Sequence, residues 1–185
     1  LFIKTDDQAS YMSIGSSAGA THQRPTADEE GKYPFEVGIT SIPQYDQNNK
    51  KVISQGPSIC IFNKEDPQEV VASWLFVKYM ATNVHFQSDF AQASGYVPVI
   101  KSVANDDDYK HYMSQANGGK YIAALSAKVC MEQEAYYFTS PAFNGSSVAR
   151  DQVGLLLKNC ISSDKKGAEL DSFINNAFTE AINEC

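Results

Sequence analysis

Hydrophobic positions along this chain follow two periods, a short alternating one in the first third and a helical one in most of the rest. Tyr11-Met12-Ser13-Ile14 alternates as a strand does, and so does the run from Phe35 to Ile42, which ends at Pro43. Residues 57–62 form a short apolar run rich in Ile with Gly and Pro before it, the pattern of a buried strand. Helical spacing begins at Asp66, which can cap, with Pro67 at the first helical position and Glu69 placed to complete a capping box. Val70, Val71, Trp74, Leu75, Val77 and Met80 then cover too wide an arc for a surface helix, so this helix is predicted to be buried along most of its length. Three further helices are predicted: residues 106–113 with Tyr109, Tyr112 and Met113; residues 121–131 with Ile122, Leu125 and Val129 on one stripe; and residues 144–160 with Val148, Val153, Leu156, Leu157 and Cys160 inward. The last helix is the cleanest amphipathic pattern, with Leu170, Phe173, Ile174, Ala177, Phe178, Ala181 and Ile182 on one face.

The punctuation between these elements is equally readable. Residues 25–34 and 45–51 are polar, the first broken by Pro and Gly, and read as a loop and a solvent turn, while residues 1–7 give no clear element. Gly95-Tyr96-Val97-Pro98 ends a helix, because Gly permits an unusual backbone angle and Pro forbids a continuing helix, and it presents a tyrosine on a turn. Gly118-Gly119 and Lys165-Lys166-Gly167 separate further helices, and residues 134–143 hold four aromatics and Pro141 and cannot be helical throughout. Strands joined by turns and followed by helices indicate an α/β architecture, helix-rich with a few-stranded sheet.

Length and charge narrow the function. With 185 residues and 43% hydrophobic content, the chain can bury a core as one domain or two small lobes. A formal charge of −7 argues against nucleic acid or an anionic membrane as partner, since both call for a basic footprint. No apolar run reaches the roughly 18 residues that span a bilayer. The chain opens at Leu1 without a charged-then-apolar leader, so any targeting segment is expected to lie outside it. Cys60, Cys130, Cys160 and Cys185 are too scattered for a disulfide framework and form no CxxC pair, and Cys60 and Cys160 read as small core residues.

Candidate chemistry is that of binding. Gly15-Ser16-Ser17-Ala18-Gly19-Ala20 offers small side chains, two hydroxyls and open N–H groups that suit sugar or phosphate oxygens, against the plainer reading of a turn with Ser16 or Ser17 as helix cap. Arg150, near the start of its helix, could reach a bound anion or hydroxyl pair, or simply be solvated. The aromatics Tyr136, Tyr137, Phe138 and Phe143 could stack on a sugar or close a core. Residues 105–108 (Asn-Asp-Asp-Asp) fit a capped helix start better than a calcium loop, which needs alternating ligands and a closing Glu. His22, His85 and His111 have neither metal-ligand nor Ser-His spacing, and no Gly-x-Ser-x-Gly elbow occurs. No catalytic residue, metal site or cofactor is expected.

The sequence order from SIGSSAGAT through FEVGITSIPQ to SQGPSICIFNKEDPQEVVASWLFVKYMATNVHFQSDFAQASGYVPVIKS resembles the second half of the family 1 extracellular solute-binding proteins of ABC importers. GITSIPQ, the DPQE helix start and GYVPV carry the resemblance, which runs on through the closing helices to Cys185. It implies part of a periplasmic-binding-protein-like (type II) fold, with residues 1–53 and 102–185 in the C-terminal lobe and residues 54–101 belonging to the N-terminal lobe. It also implies a ligand-binding set. In the similar glycerol-3-phosphate-binding branch, positions matching Ser16 and Ser17, Gly56, Tyr96 and Arg150 give a serine hydroxyl, a backbone amide, a phenol and a guanidinium to the solute. The maltose-binding branch carries stacking aromatics where this chain has Asn144 and Gly145, which argues against maltose. The function so implied is capture of a sugar, polyol or glycerophosphodiester outside the cell, or in a periplasm, and delivery to a membrane permease, the full-length protein being lipid-anchored. Residues 54–101, without sheet partners of their own, would pair with a second chain as a dimer or repack. Two other readings stand beside this one: a sensing or interaction module that uses the same fold without a permease, and a secreted hydrolase.

Overall fold

The computed structural model describes residues 2–4 and 6–185, so Leu1 and Thr5 of the undefined opening stretch lie outside the described residues. The chain divides into two compact units, Leu1–Phe138 and Thr139–Cys185. In the first unit the elements run β1 (Val52–Ile53), α1 (Pro67–Thr82), α2 (Val84–Ser94), α3 (Asp107–Ser114), α4 (Ile122–Glu132) and β2 (Tyr137–Phe138), with short 3-10 helices at Ser17–Gln23, Lys101–Asn105 and Glu134–Tyr136. The second unit is a helical pair, α5 (Ser146–Ile161) and α6 (Gly167–Asn183).

Helix starts are set by side-chain caps. Asp66 accepts from the N–H of Gln68 and opens α1; Glu69 does not close a capping box but points to Lys64, 3.6 Å away. Asn83 ends α1 by donating its N–H to the Tyr79 carbonyl and starts α2 by accepting from Phe86 N–H at 2.8 Å. Gly95 closes α2 with φ +74°, the left-handed conformation that glycine adopts without penalty. Asp106 caps α3 through Tyr109 N–H at 2.9 Å, as the acidic run predicts.

Two small clusters form the core of the first unit. Ala20, Val37 and Ile122 pack together with Phe2, Phe35 and Ile39 around them; Ala91, Val103 and Tyr109 pack with Val84, Ile100, Tyr112 and Met113. The small face of α4, Ala123, Ala124, Ser126 and Ala127, is buried and lets the Ser17–Gln23 turn lie close against it. The sheet is two rungs long and parallel, Val52 against Tyr137 and Ile53 against Phe138, extended by Ser54 N–H to the Phe138 carbonyl at 2.8 Å.

Several predicted elements differ. Residues 57–62 form no ladder with any of the described residues, and Ile59, Ile61 and Phe62 are exposed. Cys60 is accordingly exposed instead of a core residue, and Cys160 is half-buried; all four cysteines are free. Residues 11–14 are irregular and exposed, because alternation alone does not make a strand without a neighbour. Residues 35–42 are extended, but among their backbone N–H groups only that of Val37 bonds to another backbone carbonyl, that of Gly118. Helix α1 forms where predicted but buries none of its residues completely. In the second unit only Leu156 of the predicted inward set is buried, while Val148, Val153 and Leu157 remain exposed.

Candidate functional site

Ser16 and Ser17 stand at the start of the Ser17–Gln23 turn. Ser16 is its N-cap in extended conformation but makes no side-chain capping bond, so its exposed hydroxyl is free of the task that the plainer reading gives it. Ser17 is half-buried, and its carbonyl accepts from Ser126 Oγ of α4 at 3.4 Å. The small residues that follow allow this approach, with Ala20 buried against Ile122.

The Gly95-Tyr96 turn reaches the same place from the other side. A Cβ at Gly95 would lie 3.6 Å from Ala123 Cβ and 3.8 Å from the Ala18 carbonyl oxygen. The structure therefore brings the serine loop and the tyrosine turn together beside α4, with Tyr96 exposed at 42% and its N–H held by Ser94 Oγ at 3.3 Å. Gly56 is not brought into this group by any contact; it is exposed on the unpaired stretch after β1, and a Cβ there would meet nothing within 4 Å. Arg150 belongs to the second unit. It lies one turn into α5 and lines a shallow recess of about 270 Å³ with Ser140, Pro141, Phe143 and Ser146, and it makes no ion pair or side-chain hydrogen bond among the described residues. Phe143 of the predicted aromatic set thus faces the same recess, whereas Tyr137 donates its hydroxyl to the Cys130 carbonyl at 2.6 Å, and burial pushes that phenol up to about 12.

Other polar arrangements are structural. Arg24 Nη1 donates to the carbonyls of Gly119 and Lys120, both at 2.9 Å, and its guanidinium lies 5.3 Å from the Tyr33 ring, which fixes the Gly-Gly turn to the preceding loop. Asp106 Oδ1 accepts from the Tyr109 N–H and from the hydroxyl of fully buried Ser88, each at 2.9 Å, and these bonds hold its carboxyl below its ordinary 3.8. Local sequence signals neither arrangement, since Arg24 follows a short turn and Ser88 sits in mid-helix, with partners 95 and 18 residues away. Among the described residues no group of three His, Cys, Asp or Glu could hold a metal ion, and no helix is long and apolar enough to cross a membrane. Hydroxyls, an exposed phenol and an unpaired guanidinium are hydrogen-bond donors suited to binding an oxygen-rich solute.

The sequence profile of the bacterial extracellular solute-binding proteins matches residues 4–116, well over half of the chain. The chain belongs to that family. No curated protein and no solved structure matches it. The match takes in the serine loop, Gly56 and Tyr96, with α1 to α3 between and beyond them, and stops before Arg150. As a member of this family the binding protein acts outside the cell on a solute, and such proteins are in general not enzymes.

Proposed function

We propose that this binding protein is the solute-capturing component of an ABC importer, taking a sugar, polyol or glycerophosphodiester and handing it to a membrane permease. Ser16 and Ser17 supply hydroxyls, Gly56 a backbone amide, Tyr96 a phenol and Arg150 a guanidinium to a cleft of the periplasmic-binding-protein (type II) kind. Residues 1–53 and 102–185 belong to one lobe of that fold and residues 54–101 to the other, and closure of the lobes on solute is the signal that the permease reads. The observation that carries this reading is the adjacency of the serine loop and the Tyr96 turn beside α4, within the residues that match the family. The unpaired Arg150, in a recess lined also by two serines and Phe143, supports an anionic or polyhydroxylated solute.

A thermal-shift screen against sugars, polyols and glycerophosphodiesters tests the proposal, because a ligand that binds only the folded state raises Tm. One solute class is expected to raise Tm, and Tyr96→Ala and Arg150→Ala are each expected to abolish the shift without lowering the ligand-free Tm, both side chains being exposed. A shift that survives both substitutions would remove these residues from the cleft. Absence of any shift would favour a sensing or interaction role.

A further inference from the structure

The sequence contains two Asn-Gly pairs, Asn117-Gly118 and Asn144-Gly145, and the fold treats them differently. Before a glycine, the asparagine side chain is open to attack by the next backbone nitrogen, because no Cβ blocks the approach. Asn117 is held against that motion. Its Oδ1 accepts from Gly119 N–H at 2.9 Å and Tyr121 N–H at 3.3 Å, and its Nδ2 donates to the Gln115 carbonyl at 2.9 Å. Gly118 is buried, and its carbonyl accepts from Val37 N–H at 3.0 Å. Asn144 is exposed and carries none of these restraints. Ser146 N–H donates to the Phe143 carbonyl at 3.0 Å and closes a turn with Asn144 and Gly145 at its centre. Gly145, at φ +92° and ψ −3°, has the backbone of the third residue of a type II turn. Neither the Asn144 side-chain amide nor the Gly145 N–H makes a hydrogen bond among the described residues.

We propose that Asn144 is a site of spontaneous covalent modification in the folded protein, converting to aspartate and isoaspartate. The Gly145 nitrogen bonds to Asn144 Cγ and gives up its proton while the Cγ–Nδ2 bond breaks; ammonia leaves and a five-membered imide remains. Water then opens the imide. Cleavage of the new N–Cγ bond gives aspartate, and cleavage of the original peptide bond gives isoaspartate, whose main chain is one carbon longer. Either product replaces an amide by a carboxylate and adds one negative charge to the formal −7. Helix α5 accommodates this charge, since its N-terminus has no side-chain cap and no acidic residue in the first turn. The new charge is flanked in the chain by Phe143 and Ser146, which line one recess with Arg150, and it offsets the positive charge there.

The test is peptide mass spectrometry and anion-exchange chromatography of the full 185-residue chain, aged at mildly alkaline pH with and without denaturant. In the folded chain the peptide holding Asn144 is expected to gain about 1 Da and to split into aspartate and isoaspartate forms, while a more acidic species grows at the same rate. Asn117 reacts only through local opening, so its conversion is expected to be slower by about tenfold or more. In denaturant the two sites should convert at comparable rates, because the bonds that restrain Asn117 are gone. Asn144→Gln should remove the acidic species; the side chain is exposed and unbonded, so the far-UV spectrum should stay unchanged. An unaltered Asn144, equal conversion of Asn117 in the folded chain, or a rate difference that persists in denaturant would each overturn the proposal. So would an acidic species that survives Asn144→Gln. These readouts involve no solute, so they stand or fall independently of the transport reading.

Discussion

Tyr109 carries the largest fully buried side chain in the protein, and its hydroxyl has no partner among the described residues. Burial pushes the phenol up to about 12, so it stays neutral throughout the accessible pH range and contributes apolar bulk at the cost of an unpaired O–H. Tyr109→Phe is therefore expected to leave stability unchanged or raise it by about 1 kcal/mol in urea unfolding. Gly118 is the opposite case. A Cβ there would lie 2.3 Å from the Val37 carbonyl oxygen and 2.7 Å from its nitrogen, and the Val37 N–H to Gly118 carbonyl bond holds the two segments together. Gly118→Ala is expected to cost about 1–3 kcal/mol, read from the same unfolding curves. The sequence marks Gly118 as a helix break, and it is one; the close approach that makes the position intolerant of a side chain depends on a segment some eighty residues earlier. Of the candidate ligand residues, Tyr96 could be placed on a turn because Gly95 and Pro98 define that turn locally. That the serine loop lies beside it follows from the small face of α4, which the sequence shows only as a run of alanines.

Among the elements, helices were legible and strands were not, and the physical reason is locality. Asp66 and Asp106 cap their helices through neighbours two or three residues away, so spacing alone reveals them, whereas the expected single long helix is divided at Asn83, a cap outside the sequence reading. A strand needs a partner, and the runs at residues 11–14 and 57–62 find none within the described chain. The burial expected of α1 differs from the structure for the same reason: an apolar helix face depends on what lies against it, which its own sequence does not specify. The cap of α3 also has a titration signature. Asp106 has a folded-state pKa below 3.8, so its contribution is fully present above the ordinary carboxylate range and is lost as pH falls through the lowered value. Asp106→Asn keeps an acceptor for Tyr109 N–H and Ser88 Oγ but cannot titrate. Its Tm should fall less steeply than that of the unsubstituted protein below about pH 4, in melts taken across that range.

For the whole molecule, charge and apolar surface act against each other. At neutral pH the formal charge of −7 opposes self-association, and this opposition vanishes near the isoelectric point of about 4.9. Light scattering should therefore report stronger association at pH 5 than at pH 8. The two-rung ladder sets a different condition. Val52 and Ile53 pair with Tyr137 and Phe138, with every α-helix of the first unit between them. During synthesis, α1 to α4 can all form before the second rung strand exists, because their bonds are local, whereas the ladder closes a long loop. The ribosome must thus deliver Phe138 before the first unit can close, and until then β1 is an open edge awaiting the last residues of its own unit.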